Sequence, residues 1–143
     1  MVATKKAQKN YTYQEALESS IEYFNGDELA ATVWINKYAL KDSHGNLYEK
    51  DPNDMHCLIA NEINRVEKKY ANPMTAEEIF DVLKNFKYIV PQGSPMAGIG
   101  NTYQIASLSN CFVVGNDRIA DSFGCFMISV QEQVQLMKRR GGV

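Results

Sequence analysis

The chain is poor in the residues that would mark several common classes of protein. It has three cysteines, Cys57, Cys111 and Cys125, far apart and with no Cys-x-x-Cys spacing. That excludes a dense disulfide framework and gives no zinc-ligand pattern. With no export signal in view, the expected compartment is a reducing cytoplasm. Only two histidines are present. His44 lies in a turn and His56 beside an acidic helix start, and neither has a carboxylate or thiol at ligand spacing, so both read as structural or solvent-facing and no metal site is expected. No apolar run approaches the roughly 18 residues of a membrane helix, and no membrane partner is expected. An excess of charge of one sign is also missing, with a formal net charge of −2 and dispersed basic residues, which argues against direct nucleic-acid binding. The start, Met1 to Asn10, is polar, carries three lysines and lacks an apolar signal core; residues 1–10 are expected to be a disordered tail.

What is there is an ordinary globular composition, 45% hydrophobic and 22% charged over 143 residues, enough for one domain or one lobe of something larger. Thr12-Tyr-Gln-Glu15 is a capping box opening a helix to about Phe24, stopped by Asn25-Gly26. Asp27 caps a second helix with Leu29, Val33, Trp34 and Tyr38 on one side. Asp42 to Asn46 is a turn cluster. Asp51-Pro52 opens a third helix, with Met55, Leu58, Ile59, Ile63 and Val66 at spacings of three and four, ending near Tyr70. A second capping box, Thr75-Ala-Glu-Glu78, opens a helix with Ile79, Val82, Leu83 and Phe86 inward. Residues 11–87 therefore read as a helical lobe.

The character changes after residue 87. Tyr88-Ile-Val90 is a short strand candidate, Pro91 to Asn101 a loop rich in glycine, proline and small residues, and Ile105 to Val114 a buried strand ended by Gly115-Asn-Asp117. Asp121-Ser122 opens a helix with Phe123, Phe126, Met127 and Val130 on its apolar side, and Ser129-Val-Gln-Glu132 marks a place where it breaks and restarts. Helical lobe, strand and helix in that order suggest an α/β barrel opening over 88–143, incomplete where the chain ends.

Each candidate for chemistry has two readings. Cys111 is a buried small hydrophobe on a core strand, or a redox thiol at a strand end with Ser109 and Asn110 as polar neighbours. A thiol that cycles to a disulfide needs a partner within about 6 Å between Cα atoms. Cys57 and Cys125 are formal candidates, but both lie within helices. The stretch Gly93 to Gly100 fits neither glycine-rich nucleotide fingerprint. It is a surface loop, or a loop offering the Ser94 hydroxyl and backbone donors to an anion. Asp121-Ser122 is a helix cap, or a helix start where phosphate or ribose oxygens bind. The stripe from Phe123 to Met137 reads as core or as a helix–helix contact.

Four segments, Tyr88-Ile-Val-Pro-Gln-Gly-Ser-Pro95, Ser107-Leu-Ser-Asn-Cys-Phe-Val113, Asp121-Ser-Phe-Gly124 and Lys138-Arg-Arg-Gly-Gly-Val143, occur in an order that resembles the large, catalytic chain of ribonucleotide reductases. The leader, from Tyr11-Thr-Tyr-Gln-Glu-Ala-Leu through Asn36-Lys-Tyr-Ala-Leu-Lys-Asp42, is also similar to that family. The resemblance is closest to the adenosylcobalamin-dependent class, because no ATP-cone domain precedes the helical lobe. It implies a ten-stranded α/β barrel, reduction of ribonucleotides to deoxyribonucleotides by thiyl-radical chemistry, and adenosylcobalamin as cofactor, with that cofactor's binding residues outside this chain. It implies that Cys111 is one of the reducing cysteine pair, that Ser94, Asn110, Gly141 and Gly142 line the substrate site, and that Asp121 and Ser122 begin a deoxynucleotide effector site. Asp117 is the other candidate for the effector-site aspartate. The implied partners are a ribonucleotide, a deoxynucleotide effector, the downstream part of the reductase, a thioredoxin-like reductant and a second copy in a homodimer. The radical-bearing cysteine and the second cysteine of the pair are expected downstream, so the segment alone is expected to be inactive. The rival readings are a non-catalytic helical module that docks on a partner chain and a small thiol-dependent redox protein acting through Cys111.

Overall fold

The computed structural model describes residues 9–115 and 121–143. The expected tail lies outside the described residues up to position 8, and so does Asp117. Among the described residues the protein is mainly helical and forms no strand longer than an isolated bridge.

Helix α1, Tyr13–Tyr23, begins as its capping box requires: Thr12 Oγ1 accepts from the Glu15 N–H, and the Thr12 N–H donates to the Glu15 carboxylate at 2.7 Å. Asn25 and Gly26, at φ 54° and 94°, end it in the left-handed region. Helix α2, Glu28–Lys37, is capped by the Asp27 carboxylate on the Ala30 N–H at 2.9 Å. Helix α3, Pro52–Glu67, starts at proline under the Asp51 cap, and helix α4, Ala76–Leu83, starts at the Thr75–Glu78 box. In all four, side-chain oxygens satisfy donors that a helix start leaves free.

Helices α1 and α2 pack as one hairpin, α3 and α4 as another. The two share a single core containing Ala16, Trp34, Ile35, Met55, Ile59 and Leu83. Burying a side chain such as Ile35 contributes about 1.5–3 kcal/mol by apolar transfer. Between the hairpins Leu47 is buried and bridges both Tyr11 and Lys41.

Helix α2 turns only part of the expected face inward: Trp34 is buried and Tyr38 packs against the core, but Leu29 and Val33 do not. Ala31, Trp34 and Ile35 are buried, while Leu29 is 74% exposed and Val33 is also exposed. The segment is apolar nearly all round, so the position of α1, rather than periodicity, selects the buried side. After α4 a single turn, Lys84–Phe86, holds Asn85 and Phe86 at φ 56° and 54°, which lays the Phe86 ring edge-on against His56 at 4.7 Å between centroids.

The strand expectations are corrected. Tyr88, Ile89 and Val90 are exposed in irregular structure. Between Ile105 and Val114 there is one bridge, Cys111 to Gly142, and Val113 is fully exposed. A strand needs neighbours for its backbone groups, and among the described residues this segment has backbone hydrogen bonds only to Arg139 and Gly142 in the turn after the last helix, with no adjoining strand. The loop after Pro91 contains a short helix, α5, Gly93–Gly98. Helix α6, Phe123–Met137, runs unbroken through Ser129: inside a helix the main-chain ladder overrides a capping pattern. Its apolar stripe is exposed, with Phe123 at 80%. The helix is held through its C-terminal end, where the Ser107 N–H donates to Arg139 O at 2.9 Å and the Phe112 N–H to Gly142 O at 2.8 Å.

Candidate functional site

The local chemistry converges on Asn110. Its side-chain oxygen accepts from the Ser94 N–H at 2.8 Å and its amide nitrogen donates to the Gln92 side-chain carbonyl. Its backbone oxygen accepts from the Gly142 N–H at 2.7 Å. One residue thereby ties the start of α5, the segment after Ser107 and the turn after α6. Ser94 is buried and Asn110 half-buried.

The close approach explains the two glycines. A Cβ on Gly141 would lie 2.8 Å from the Phe112 ring, and one on Gly142 would lie 3.0 Å from Asn110 O. Neither position has room for a side chain without movement of its neighbours.

Beside this junction is a cleft of about 580 Å³ lined by Asn36, Lys37, Tyr38, Gly93, Ser94, Asn110 and Arg140. The end of α2 supplies the first three, α5 and its approach supply Gly93 and Ser94, and the turn after α6 supplies Arg140. The lining holds two cations and no carboxylate. Lys41 is close by: burial, and then the Arg140 charge, hold its ammonium below the usual lysine range. The cleft is suited to an anion.

Four residues singled out in the sequence, Ser94, Asn110, Gly141 and Gly142, thus meet at one place. Cys111 adjoins them through its bridge to Gly142, with its side chain exposed. All three cysteines are free. Cys57 lies exposed on α3 in a groove shared with Asn61 and Phe80, and burial raises its thiol pKa. Cys125 sits in the first turn of α6. Asp121 is exposed, and Ser122 caps α6 by accepting from the Cys125 N–H at 3.2 Å. Neither is among the residues lining the cleft.

Nothing in the sequence marks Lys37, Gln92 or Arg140 as a site residue, and Tyr38 stands out there only as part of the apolar side of α2. Lys37 and Tyr38 close α2, where the chain must turn, and Arg140 directly precedes the two glycines. Those positions were the available signals.

His56 is fully enclosed in the core, and neither ring nitrogen has a protein partner. Burial lowers its pKa to about 4. Among the described residues no group of three or more His, Cys, Asp or Glu is placed to hold a metal ion. No helix among them is long and apolar enough to cross a membrane.

Residues 24–101 match the family model described as ribonucleotide reductase, all-alpha domain. That span is more than half of the chain, and the chain belongs to this family, whose enzymes are oxidoreductases of deoxyribonucleotide synthesis. It is also similar to a UPF0223 protein of Staphylococcus aureus (strain MRSA252), 35% identical over 65 residues, which cover 46% of this chain and 71% of that protein. That name carries no activity. No solved structure matches the chain.

Proposed function

We propose that the chain is the helical lobe and barrel opening of the catalytic subunit of a ribonucleotide reductase of the adenosylcobalamin-dependent type, with the lobe over 11–87 and the barrel portion from 88. The cleft beside Asn110 receives the phosphate and ribose end of a ribonucleotide, with Ser94, Asn110, Gly141 and Gly142 around it. Cys111 is one of the reducing pair. In the complete enzyme a thiyl radical takes the ribose 3′ hydrogen and the 2′ hydroxyl leaves as water. Cys111 and a second thiol supply two electrons and become a disulfide, and a thioredoxin-like dithiol reduces it again. Asp121 and Ser122 belong to a deoxynucleotide effector site at a contact between two copies.

Adenosylcobalamin would supply the radical. The described residues offer no evident set to hold it, since His56 is sealed in the core and His44 sits on an exposed turn; its contacts are assigned to the downstream part of the reductase. This chain's own part is to position the nucleotide and hold one reducing thiol. The observation that carries the reading is the meeting of Ser94 and Gly142 at Asn110, three residues distant in sequence, beside a cleft that Ser94 and Asn110 line together with the cations Lys37 and Arg140.

The test is reconstitution with the downstream barrel of an adenosylcobalamin-dependent reductase, in the presence of cofactor and a dithiol reductant. Turnover of a ribonucleotide is expected, with loss of about 1,000-fold or more for Cys111→Ser, since the redox step has no substitute. Turnover unaffected by Cys111→Ser would overturn the assignment of the thiol. A non-catalytic docking module is the second reading, favoured by the exposed stripe on α6; a complex with the barrel but no turnover would support it.

A further inference from the structure

The turn after α6 presents three consecutive constrained positions. Gly141 and Gly142 are constrained by close approach to Phe112 and Asn110. Arg140, just before them, stands at φ 64°. It closes α6 as a left-handed cap: the Gly141 N–H returns to Leu136 O at 3.0 Å. This is the place in a helix end where glycine is favoured, because a Cβ is strained there. A backbone that tolerates glycine at the next two positions nevertheless holds arginine at this one, so the explanation lies in the side chain.

That side chain lines the cleft. No carboxylate is among the lining residues, and the ion pairs among the described residues join His44 with Asp42, Lys50 with Asp51 and Arg65 with Glu62. Arg140 and Lys37 therefore face the cleft without a carboxylate to neutralise them, and Lys41 adds a third positive charge beside Arg140. Holding like charges together is unfavourable unless an anion joins them. A guanidinium presents paired donors that match phosphate oxygens, and an ammonium adds a point charge.

We infer that Arg140, with Lys37 on the same cleft, grips the phosphate end of a nucleotide there, and that arginine stands in a glycine-type backbone position for that contact. The inference rests on the proposed substrate cleft and adds the residues that read the ligand's charge. The left-handed cap fixes where the guanidinium starts, and the pairing of Gly142 with Asn110 fixes the turn against the rest of the cleft. Binding should be set by phosphate charge more than by the base.

The experiment titrates the chain with cytidine 5′-diphosphate and with cytidine by calorimetry. It uses the wild type, Arg140→Gly, Arg140→Lys and Asn110→Ala, with the melting temperature of each. The diphosphate should bind the wild type and cytidine should bind far more weakly. Arg140→Gly should weaken the diphosphate about tenfold, the loss of one charge-assisted contact, while its melting temperature holds or rises as backbone strain is relieved. Arg140→Lys should keep part of the affinity and melt no higher than the wild type. Arg140→Gly binding within about twofold of the wild type, while Asn110→Ala loses affinity, would overturn the role of Arg140 and leave the cleft standing. A fall in the melting temperature of Arg140→Gly would assign the arginine to the fold and likewise overturn it. A wild type that binds neither ligand would remove the substrate cleft itself.

Discussion

Two buried ionisable residues act on stability in opposite directions. His56 is enclosed and neutral, its pKa lowered by burial to about 4; the unfolded chain takes up that proton near the ordinary histidine value of about 6.5. Its effect is to reduce stability as pH falls from about 6.5 to about 4. Glu49 is buried, and burial first, then Asp54 and Asp51, raises its pKa to about 7 despite the Leu40 N–H it accepts at 2.8 Å. The folded state takes up that proton before the unfolded one, so Glu49 adds stability as pH falls from about 7 towards 4.5. Between about 4.5 and 6.5 the two slopes, each about 1.4 kcal/mol per pH unit at most, offset each other. Glu49→Gln should make melting fall more steeply with acid than in the wild type. His56→Leu should make it rise as pH drops to 5, and should add about 1 kcal/mol at neutral pH by removing an unpartnered imidazole. Parallel melting-versus-pH curves for all three proteins would refute this pairing. Gly100 is a further single-residue test. At φ 76°, with a Cβ placed 2.6 Å from Leu58 Cγ, Gly100→Ala should lose about 1–3 kcal/mol by denaturant unfolding.

At the scale of elements, much of the helical lobe could be read directly because its signals are local. Thr12 with Glu15, Asp27, Asp51 with Pro52 and Thr75 with Glu78 each start a helix where the sequence places one. Thr12→Ala and Thr75→Ala should each reduce stability by about 1 kcal/mol in thermal melts; a change below about 0.3 kcal/mol would mean the boxes do not anchor these helices. What could not be read depends on neighbours. Trp34 and Tyr38 of α2 face the core as the sequence suggests, but Leu29 and Val33 do not, because they are as apolar as Ala31 and Ile35 and only the packing partner separates them. Ile105 to Val114 has the composition of a buried strand, but composition cannot supply the adjoining strand that would make it one. In the candidate site, Ser94 stands out in a loop of small residues, and Asn110, Gly141 and Gly142 only through the family resemblance. Lys37, Tyr38 and Arg140 do not stand out as site residues, because their shared cleft exists only once α2, α5 and the turn after α6 come together.

For the whole molecule, the two helical hairpins share one core, whereas α6 is anchored mainly by backbone pairing near its C-terminal end and leaves its apolar stripe exposed. Hydrogen exchange should separate them: amides of α3 around Met55 and Ile59 should be the slowest, and those at the start of α6 should exchange far sooner. Equal protection in the two would show that α6 is part of the same cooperative unit.

The single tryptophan, Trp34, sits in the shared core with its indole N–H buried and without a protein partner. The chain thus has a built-in optical reporter, one that senses only the junction of the two hairpins. Its emission should lie to the blue and shift red when the lobe opens, and remain unchanged if α6 alone detaches. Fluorescence and circular dichroism, recorded on the same sample, would then follow different parts of one polypeptide without any label.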